Sequence, residues 1–230
     1  MKKAIAVLGG PTENWPPNLK EKLVKAKNSG IMIASSDRGS LFLLELGIIP
    51  DLAMGDFDSL RDFELGQIEK SVADIRYAPP AKDETDSELL LLTLFEDYQI
   101  EQVDLYGATG GRLDHFFVNI FTFLNPPLAK YNDRIRIIDQ QNLILFLKPR
   151  MNSLFPILSY SYLGLANLTP VKNLNIIGAK YPLKSFNTTV PHMFSSNEFI
   201  GQNKIEVSFD KGEVIAIYSC DKDRFSNIAK

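Results

Sequence analysis

Acidic residues come in four clusters in the amino-terminal half of this sequence, three of them after predicted strands and one, Lys82–Asp86, before a long predicted helix. The clusters are Ser36-Asp37-Arg38-Gly39, Gly55-Asp56-Phe57-Asp58-Ser59, Lys82-Asp83-Glu84-Thr85-Asp86 and Gly107–His115, which contains Asp114. In an open parallel sheet, ligands bind at the carboxyl ends of the strands, so the clusters are predicted to meet at one sheet edge. Like charges about 4 Å apart repel by roughly 4 kcal/mol at an effective dielectric of about 20. Converging carboxylates therefore either take up protons or hold a cation.

The donor atoms available at this edge favour magnesium. Oxygen ligands select a hard cation, and an open rim that keeps several waters suits magnesium bridging to phosphates. Asp56 and Asp58 are two positions apart. In an extended segment their side chains would lie on the same side, where they could share one ion.

A glycine-rich segment, Gly107–Gly111, is predicted to lie between a strand and a helix. Its glycines would let backbone N–H groups approach a phosphate at the positive end of the helix. Arg112 would add a bidentate phosphate contact. The segment is not a Walker A loop, because GxxxxGK[ST] does not occur in the sequence, and it is not a clean GxGxxG either.

Each cluster also has a purely structural interpretation. Thr85-x-x-Glu88 is a capping box, and the helix dipole favours Asp83 and Asp86 at a helix start without any function. Asp56 could be a turn former, and His115 could satisfy a hydrogen bond at a helix start. These local roles do not explain why all four clusters fall on the same sheet edge.

The pattern of apolar residues predicts the elements that position these clusters. Residues 1–140 read as alternating strands and helices, which indicates a mostly parallel sheet with flanking helices. The predicted strands are Ala4–Leu8, Ile31–Ala34, Leu52–Met54, Gln102–Tyr106 and Arg134–Ile138, and the predicted helices are Leu19–Ala26, Leu41–Leu46, Glu88–Tyr98 and Leu113–Leu124. On the last helix, the predicted core residues are Phe116, Phe117, Ile120, Phe121 and Leu124.

Residues 141–230 have short β-type runs in place of helical periodicity. These runs are Leu143–Leu147, Leu174–Ile177, Lys204–Phe209 and Val214–Tyr218. They predict a smaller antiparallel β-sandwich or barrel domain. The expected fold is therefore an α/β domain over residues 1–140 followed by a β domain over residues 141–230.

Composition excludes several classes of protein. With 45% hydrophobic and 23% charged residues, the chain has the composition of a globular protein. A net charge of −3 without a basic run argues against nucleic acid as a partner. The apolar runs are far shorter than the roughly 20 residues that span a membrane, and the amino terminus does not resemble a secretory signal. Cys220 is the single cysteine, which fits a reducing cytoplasm.

Together the motifs resemble the thiamine pyrophosphokinase family. That family has an Asp-Gly-Gly stretch, GDFDS, K-D-x-T-D and G-x-x-G-G-R-x-D-H in this order, and here the four clusters occupy these places. In the second half, Gly178–Leu183 and Ser196–Phe199 are similar as well, so the resemblance runs from about Ala4 to Ser219. One departure is Arg38, which replaces the first glycine of Asp-Gly-Gly, makes the backbone less permissive and adds a positive charge.

The resemblance implies an amino-terminal catalytic domain that binds ATP and magnesium, a carboxyl-terminal domain that binds thiamine, and a homodimer with active sites shared between subunits. ATP would be the pyrophosphoryl donor and AMP the leaving product. Asp56, Asp58 and Asp86 would hold magnesium directly or through water, and either Asp83 or Asp114 would orient or deprotonate the thiamine hydroxyl. The residues on the nucleotide and phosphate side would be Asp37, Gly39, Lys82, Thr85, Gly107, Gly110, Gly111, Arg112 and His115. Ser196 and Asn197 would contact thiamine.

Two alternatives stay open. A pyrophosphokinase of related fold could act on a hydroxymethyl pterin, with the same chemistry and another acceptor. The chain could also be a nucleotide- or thiamine-binding module without catalysis, although binding alone would not need so many mutually repelling carboxylates.

Overall fold

The computed structural model describes residues 1–79 and 84–221. Two candidate site residues, Lys82 and Asp83, lie outside the described residues. The backbone divides into two compact units, Met1–Gln140 and Gln141–Lys230. None of the helices in the described part of the chain has the length and hydrophobicity that a bilayer crossing requires.

The first unit is built on parallel strands. They are β1 (Lys3–Val7), β2 (Met32–Ser36), β3 (Leu52–Gly55), β4 (Ile75–Tyr77), β5 (Gln102–Tyr106) and β6 (Ile135–Ile138). Their order is β6-β5-β1-β2-β3-β4, and each neighbouring pair is parallel. The chain therefore moves outward from β1 in one direction and then returns to add β5 on the other side. This reversal makes the carboxyl ends of β1 and β5 a topological switch point, where α/β proteins bind ligands.

Helices connect these strands and cover the sheet. They are α1 (Leu19–Asn28), α2 (Arg38–Glu45), α3 (Asp62–Ser71), α4 (Asp86–Glu96) and α5 (Leu113–Phe121). In α1 the buried residues Leu19, Leu23 and Ala26 repeat at helical spacing and pack with Val7 of β1 and Ile33 of β2. Burial of this apolar stripe fixes the helix on the sheet.

The sequence pattern did not predict α3 or β4. In α3 only Ile68 and Glu64 are buried, so the apolar period is weak, and Gly66 within the helix lowers its helix propensity. Strand β4 is three residues long and has no fully buried position, which leaves too short a pattern to recognise.

The prediction that α5 contributes mainly core residues was wrong in part. Ile120 is buried, but Phe117 is 49% exposed and Phe121 is 47% exposed. Six of the nine residues of the helix are apolar, so its apolar side chains extend beyond the face that packs on its own unit. The rest is an exposed apolar face of α5, formed by Leu113, Phe117, Val118 and Phe121.

The second unit consists of two antiparallel sheets. One has the order β12-β9-β14-β7 and the other β11-β10-β13-β8. The strands are β7 (Asn142–Leu147), β8 (Met151–Leu154), β9 (Tyr162–Asn167), β10 (Val171–Ile177), β11 (Leu183–Thr188), β12 (His192–Asn197), β13 (Ile205–Ser208) and β14 (Val214–Ser219). The predicted fold class, a parallel α/β sheet followed by a smaller antiparallel β part, is confirmed.

Half of the strands in this unit were not predicted: β8, β9, β11 and β12. Most positions of β11 and β12 are exposed or half-buried, so the apolar alternation that marks a strand is missing. Tertiary contacts stabilise these two strands. Phe186 of β11 packs edge-on against Phe194 of β12, with ring centroids 5.1 Å apart.

Candidate active site

Three carboxylates converge at the carboxyl edge of the parallel sheet. Asp37 follows β2, Asp56 follows β3 and Asp86 begins α4. One oxygen from each lies within 4.8 Å of the others, and all three residues are half-buried. Three carboxylate oxygens at this separation form a hard-ligand set that fits a magnesium ion with remaining positions for water and phosphate. The geometry thus brings Asp56 and Asp86 of the predicted ligand set together and adds Asp37, which the sequence assigned to the nucleotide.

Asp37 is held by strained backbone and by the loop after β3. Its φ of 43° and ψ of −121° are unusual for a residue with a side chain, and such conformations cost about 1–3 kcal/mol. The Oδ1 atom of Asp37 accepts a hydrogen bond from the Phe57 backbone N–H at 3.3 Å. The carboxylate is thereby turned towards the loop that carries Asp56.

Asp56 and Asp58 do not form the pair that the sequence predicted from an extended backbone. Phe57 is in the left-handed region, with φ of 55°, and its side chain is buried, so the chain turns between the two aspartates. The Asp58 N–H donates to Asp56 Oδ1 at 3.1 Å, and Asp58 itself is exposed. Within the described residues, the group of converging carboxylates contains Asp56 but not Asp58.

The predicted capping box fixes the start of α4. Thr85 Oγ1 accepts a hydrogen bond from the Glu88 N–H at 3.3 Å, and Glu88 Oε2 accepts one from the Thr85 N–H at 2.7 Å. The Thr85 hydroxyl therefore serves the helix end and has little capacity left for a nucleotide. The box places Asp86 in the first helical turn beside the other two carboxylates.

The glycine-rich loop after β5 lies at the switch point against the loop after β1. Gly107 has φ of 73°, and a Cβ on this residue would come within 2.4 Å of the Leu8 carbonyl oxygen. The Gly10 N–H donates to the Gly107 carbonyl at 3.1 Å, and the Asn14 side chain donates to the Gly110 carbonyl at 3.4 Å. Sequence reasoning missed Gly10 and Asn14, although a glycine pair directly after a strand was a signal for such a loop.

Arg112 and Asp114 form an exposed, two-pronged ion pair at the start of α5. Arg112 Nε donates to Asp114 Oδ1 at 3.1 Å, and Nη2 donates to Oδ2 at 2.5 Å. This pairing lowers the pKa of Asp114 to about 2, so the carboxylate is a weak base. The exposed residue His115 contributes its backbone N–H to Asp114 Oδ1 at 3.1 Å. Arg112 would have to exchange this partner in order to bind a phosphate.

The two residues assigned to thiamine have different environments in the second unit. Asn197 is buried: its Oδ1 accepts hydrogen bonds from the N–H groups of Tyr181 at 3.0 Å and Glu198 at 2.9 Å, and its Nδ2 donates to the Tyr181 carbonyl at 2.8 Å. These bonds tie β12 to the segment before β11. Ser196 is exposed, with φ of 58°, at an irregularity in the pairing of β12 with β9. Its hydroxyl is the one available to a ligand.

Comparison with known proteins agrees with these two units. Residues 23–138 match the family model described as thiamin pyrophosphokinase, catalytic domain, and residues 152–214 match that of the thiamin pyrophosphokinase vitamin B1 binding domain. A curated thiamine pyrophosphokinase of Bacillus subtilis (strain 168) is 34% identical over 223 residues, which cover 96% of this chain and 100% of that protein.

Solved structures give the same assignment. A thiamin pyrophosphokinase family protein from Enterococcus faecalis is 32% identical with a TM-score of 0.87. The structure of thiamine pyrophosphokinase from Bacillus subtilis is 33% identical with a TM-score of 0.83. Both similarities cover 96% of this chain and 100% of the solved chain. The predicted family is therefore confirmed, and the chain belongs to the thiamin pyrophosphokinases.

Proposed function

We propose that this chain transfers the pyrophosphoryl group of ATP to the hydroxyl of thiamine, which gives thiamine diphosphate and AMP. The observation that carries the proposal is the convergence of Asp37, Asp56 and Asp86 in a chain whose two halves match a catalytic and a vitamin B1 binding domain. Such a carboxylate set suits a reaction in which positioning and charge neutralisation supply most of the rate.

Asp37, Asp56 and Asp86 are proposed to hold magnesium, with Asp58 acting through water. When bound, the ion would neutralise charge on the polyphosphate. Gly107, Gly110 and Gly111 would present backbone N–H groups to the phosphates, and Arg112 would leave Asp114 to grip one of them. The role proposed for Asp37 is therefore metal binding and no longer nucleotide binding, because its oxygen lies within 4.8 Å of those of the other two carboxylates.

In the transfer itself, the thiamine oxygen would attack the β-phosphorus of ATP. The bond from this phosphorus to the bridging oxygen of AMP would break, and the hydroxyl proton would pass to a carboxylate. Asp83 and Asp114 stay the two candidates for that role. As long as Arg112 stays paired with Asp114, the Asp114 carboxylate is a weaker base than an unpaired aspartate, and release of Arg112 to a phosphate would restore its basicity. Ser196 is the proposed thiamine contact, and Asn197 would hold the Ser196 segment in place.

A homodimer with shared active sites is part of the proposal. The exposed apolar face of α5 supports it, because contiguous apolar surface of this kind marks interaction sites. The helix begins directly after the glycine-rich loop, so a partner subunit that packs on α5 would lie beside the phosphate site. A two-fold dimer would then form two equivalent sites. We also keep the cytoplasm as the proposed location, on the basis of the single cysteine, Cys220.

The test of the function is AMP release. Purified protein is mixed with ATP and magnesium, and thiamine or a hydroxymethyl pterin is added as the acceptor. AMP and thiamine diphosphate in the thiamine reaction are expected. Turnover with the pterin but not with thiamine would mean that the acceptor is a pterin. Tight binding of ATP and thiamine without turnover would indicate a binding module.

A further inference from the structure

We infer that Arg38 is a positioning residue for the metal-binding carboxylates, and this inference rests on the proposed magnesium site. Arg38 stands where the Asp-Gly-Gly pattern described above has its first glycine, so this chain has a long charged side chain at that place. It reaches from the start of α2 to the loop after β3, where Nη1 donates a hydrogen bond to the Ser59 carbonyl at 2.9 Å. This loop carries Asp56.

Two adjacent residues, Asp37 and Arg38, therefore bind the loop after β3 at two points that are two residues apart. Asp37 accepts from the Phe57 N–H, and Arg38 donates to the Ser59 carbonyl. Asp56 lies immediately before the first of these two anchors. In the absence of a cation, the carboxylates of Asp37 and Asp56 repel each other and push the loop away. The Arg38 hydrogen bond opposes this displacement from a point outside the carboxylate group.

Arg38 is also linked to a buried charge at the start of α3. Glu64 is 9% exposed, its Oε2 accepts a hydrogen bond from the Arg61 N–H at 2.8 Å, and its Oε1 lies 4.0 Å from Arg38 Nη2. Burial of a carboxylate is costly unless hydrogen bonds and an opposite charge compensate for the lost water. Glu64 thus draws the guanidinium towards α3, and the loop after β3 is fixed at its far end as well.

The surrounding residues leave a defined place for the side chain. Gly9 is so close that a Cβ there would lie 3.2 Å from Arg38 Cβ, and the guanidinium carbon is 6.0 Å from the centre of the Phe42 ring. The Phe42 ring gives the guanidinium a cation–π contact beside the Ser59 hydrogen bond, although the Arg38 side chain is 43% exposed. The expected consequence of removing Arg38 is a loop that holds Asp56 less accurately and therefore binds metal less tightly.

The experiment compares wild type with Arg38→Ala, Arg38→Lys and Arg150→Ala, which removes an exposed arginine of the second unit. Binding of Mn²⁺ without nucleotide is measured by electron paramagnetic resonance, and activity is measured against magnesium, ATP and thiamine. For Arg38→Ala we expect the Mn²⁺ dissociation constant and the half-saturating magnesium concentration to rise by about threefold to tenfold, because one partly exposed charge-assisted hydrogen bond is lost. Turnover at saturating magnesium and the KM for thiamine should change little.

Arg38→Lys keeps a charged donor long enough to reach Ser59, so it should recover part of the loss, and Arg150→Ala should behave like wild type. Unchanged Mn²⁺ binding in Arg38→Ala would overturn the inference. So would a rise in the KM for ATP alone, which would make Arg38 a phosphate ligand. If Arg38→Ala is not folded by circular dichroism, Arg38→Gly, which restores the family residue, takes its place. Absence of thiamine turnover in wild type would reject the proposed function, while the Mn²⁺ measurement would still decide the role of Arg38.

Discussion

The backbone of Gly55 lies against the carboxylate of Asp37, so closely that a Cβ on Gly55 would come within 1.9 Å of Asp37 Oδ1. Gly55 also has φ of 152°, a conformation that residues with side chains rarely adopt. The glycine that ends β3 is therefore required by the carboxylate that follows β2. This contact explains why the first residue of the GDFDS motif is glycine.

Gly55→Ala is expected to displace Asp37 and to reduce turnover by about 100-fold or more, because small displacements of catalytic groups are costly. It should also lower the free energy of unfolding by about 1–3 kcal/mol through backbone strain. Activity assays and thermal denaturation measure the two effects. The matched control is Gly66→Ala in α3, where an added Cβ meets nothing within 4 Å. That variant should stay active and gain about 0.5–1 kcal/mol, and equal damage in both variants would contradict the assignment.

The second prediction separates Asp56 from Asp58. Asp56→Asn should lower turnover by about 100-fold or more at limiting magnesium, since one of three converging charges is lost. Asp58→Asn should reduce turnover by about tenfold at most, because a contact through water is weaker and adaptable. Kinetics across a range of magnesium concentrations provide the measurement. Asp37→Asn combined with Asp56→Asn should be far less than additive, since either change already disrupts the shared ion. A larger loss of turnover in Asp58→Asn than in Asp56→Asn would indicate that Asp58 binds the metal directly, as the sequence predicted.

The third prediction concerns the ion pair at the start of α5. Arg112→Ala should raise the KM for ATP by about tenfold and leave the KM for thiamine nearly unchanged, because a charge-assisted phosphate contact is lost. The pKa of Asp114 should rise from about 2 towards the ordinary value of 3.8, as its principal hydrogen-bond donor is removed. Because the folded pKa is depressed, the pair contributes stability above the ordinary pKa, and this contribution is lost as the pH falls through about 2. Carbon-13 NMR titration of Asp114 follows the shift. An unchanged KM for ATP would remove Arg112 from the phosphate site.

The fourth prediction divides the two residues assigned to thiamine. Asn197→Ala removes a buried amide that makes three hydrogen bonds, so we expect a loss of about 2–4 kcal/mol of stability. Ser196→Ala changes an exposed hydroxyl, and it should leave stability intact while raising the KM for thiamine by about twofold to tenfold. Thermal denaturation and steady-state kinetics distinguish these outcomes. If Ser196→Ala leaves the KM for thiamine unchanged, the Ser196 contact is wrong.

The fifth prediction tests the dimer. Phe117→Glu introduces a charge into the exposed apolar face of α5, so it should produce a folded monomer with little activity. Analytical ultracentrifugation and circular dichroism report assembly and folding. The control is Phe63→Glu, which changes a phenylalanine of α3 that is 60% exposed and should leave the dimer intact. A Phe117→Glu protein that assembles like wild type would exclude α5 from the interface.

Subunit mixing tests whether the sites are shared. Asp56→Asn is mixed with Ser196→Trp, and subunit exchange is followed by mass spectrometry. In a mixed dimer with shared sites, one site combines two unaltered halves, so activity should return. Exchange without recovered activity would mean that each site is built within one chain.

Several features of the protein followed from local sequence alone. The acidic clusters after the strands identified the sheet edge, because parallel strands place their carboxyl ends together. The box Thr85-x-x-Glu88 predicted the start of α4, since its hydrogen bonds join residues three positions apart. The order of the motifs was sufficient for the family, which the relatives confirm.

Tertiary structure decided which side chains share the site. Asp37 joins Asp56 and Asp86 because β2 and β3 are neighbours in the sheet, a relationship that spacing along the chain does not contain. Asp58 turns away because Phe57 adopts a left-handed conformation and is buried, and no local pattern signals that turn. In the same way, Phe117 is exposed and Asn197 is buried, since burial depends on which surfaces the fold brings together and not on residue type alone.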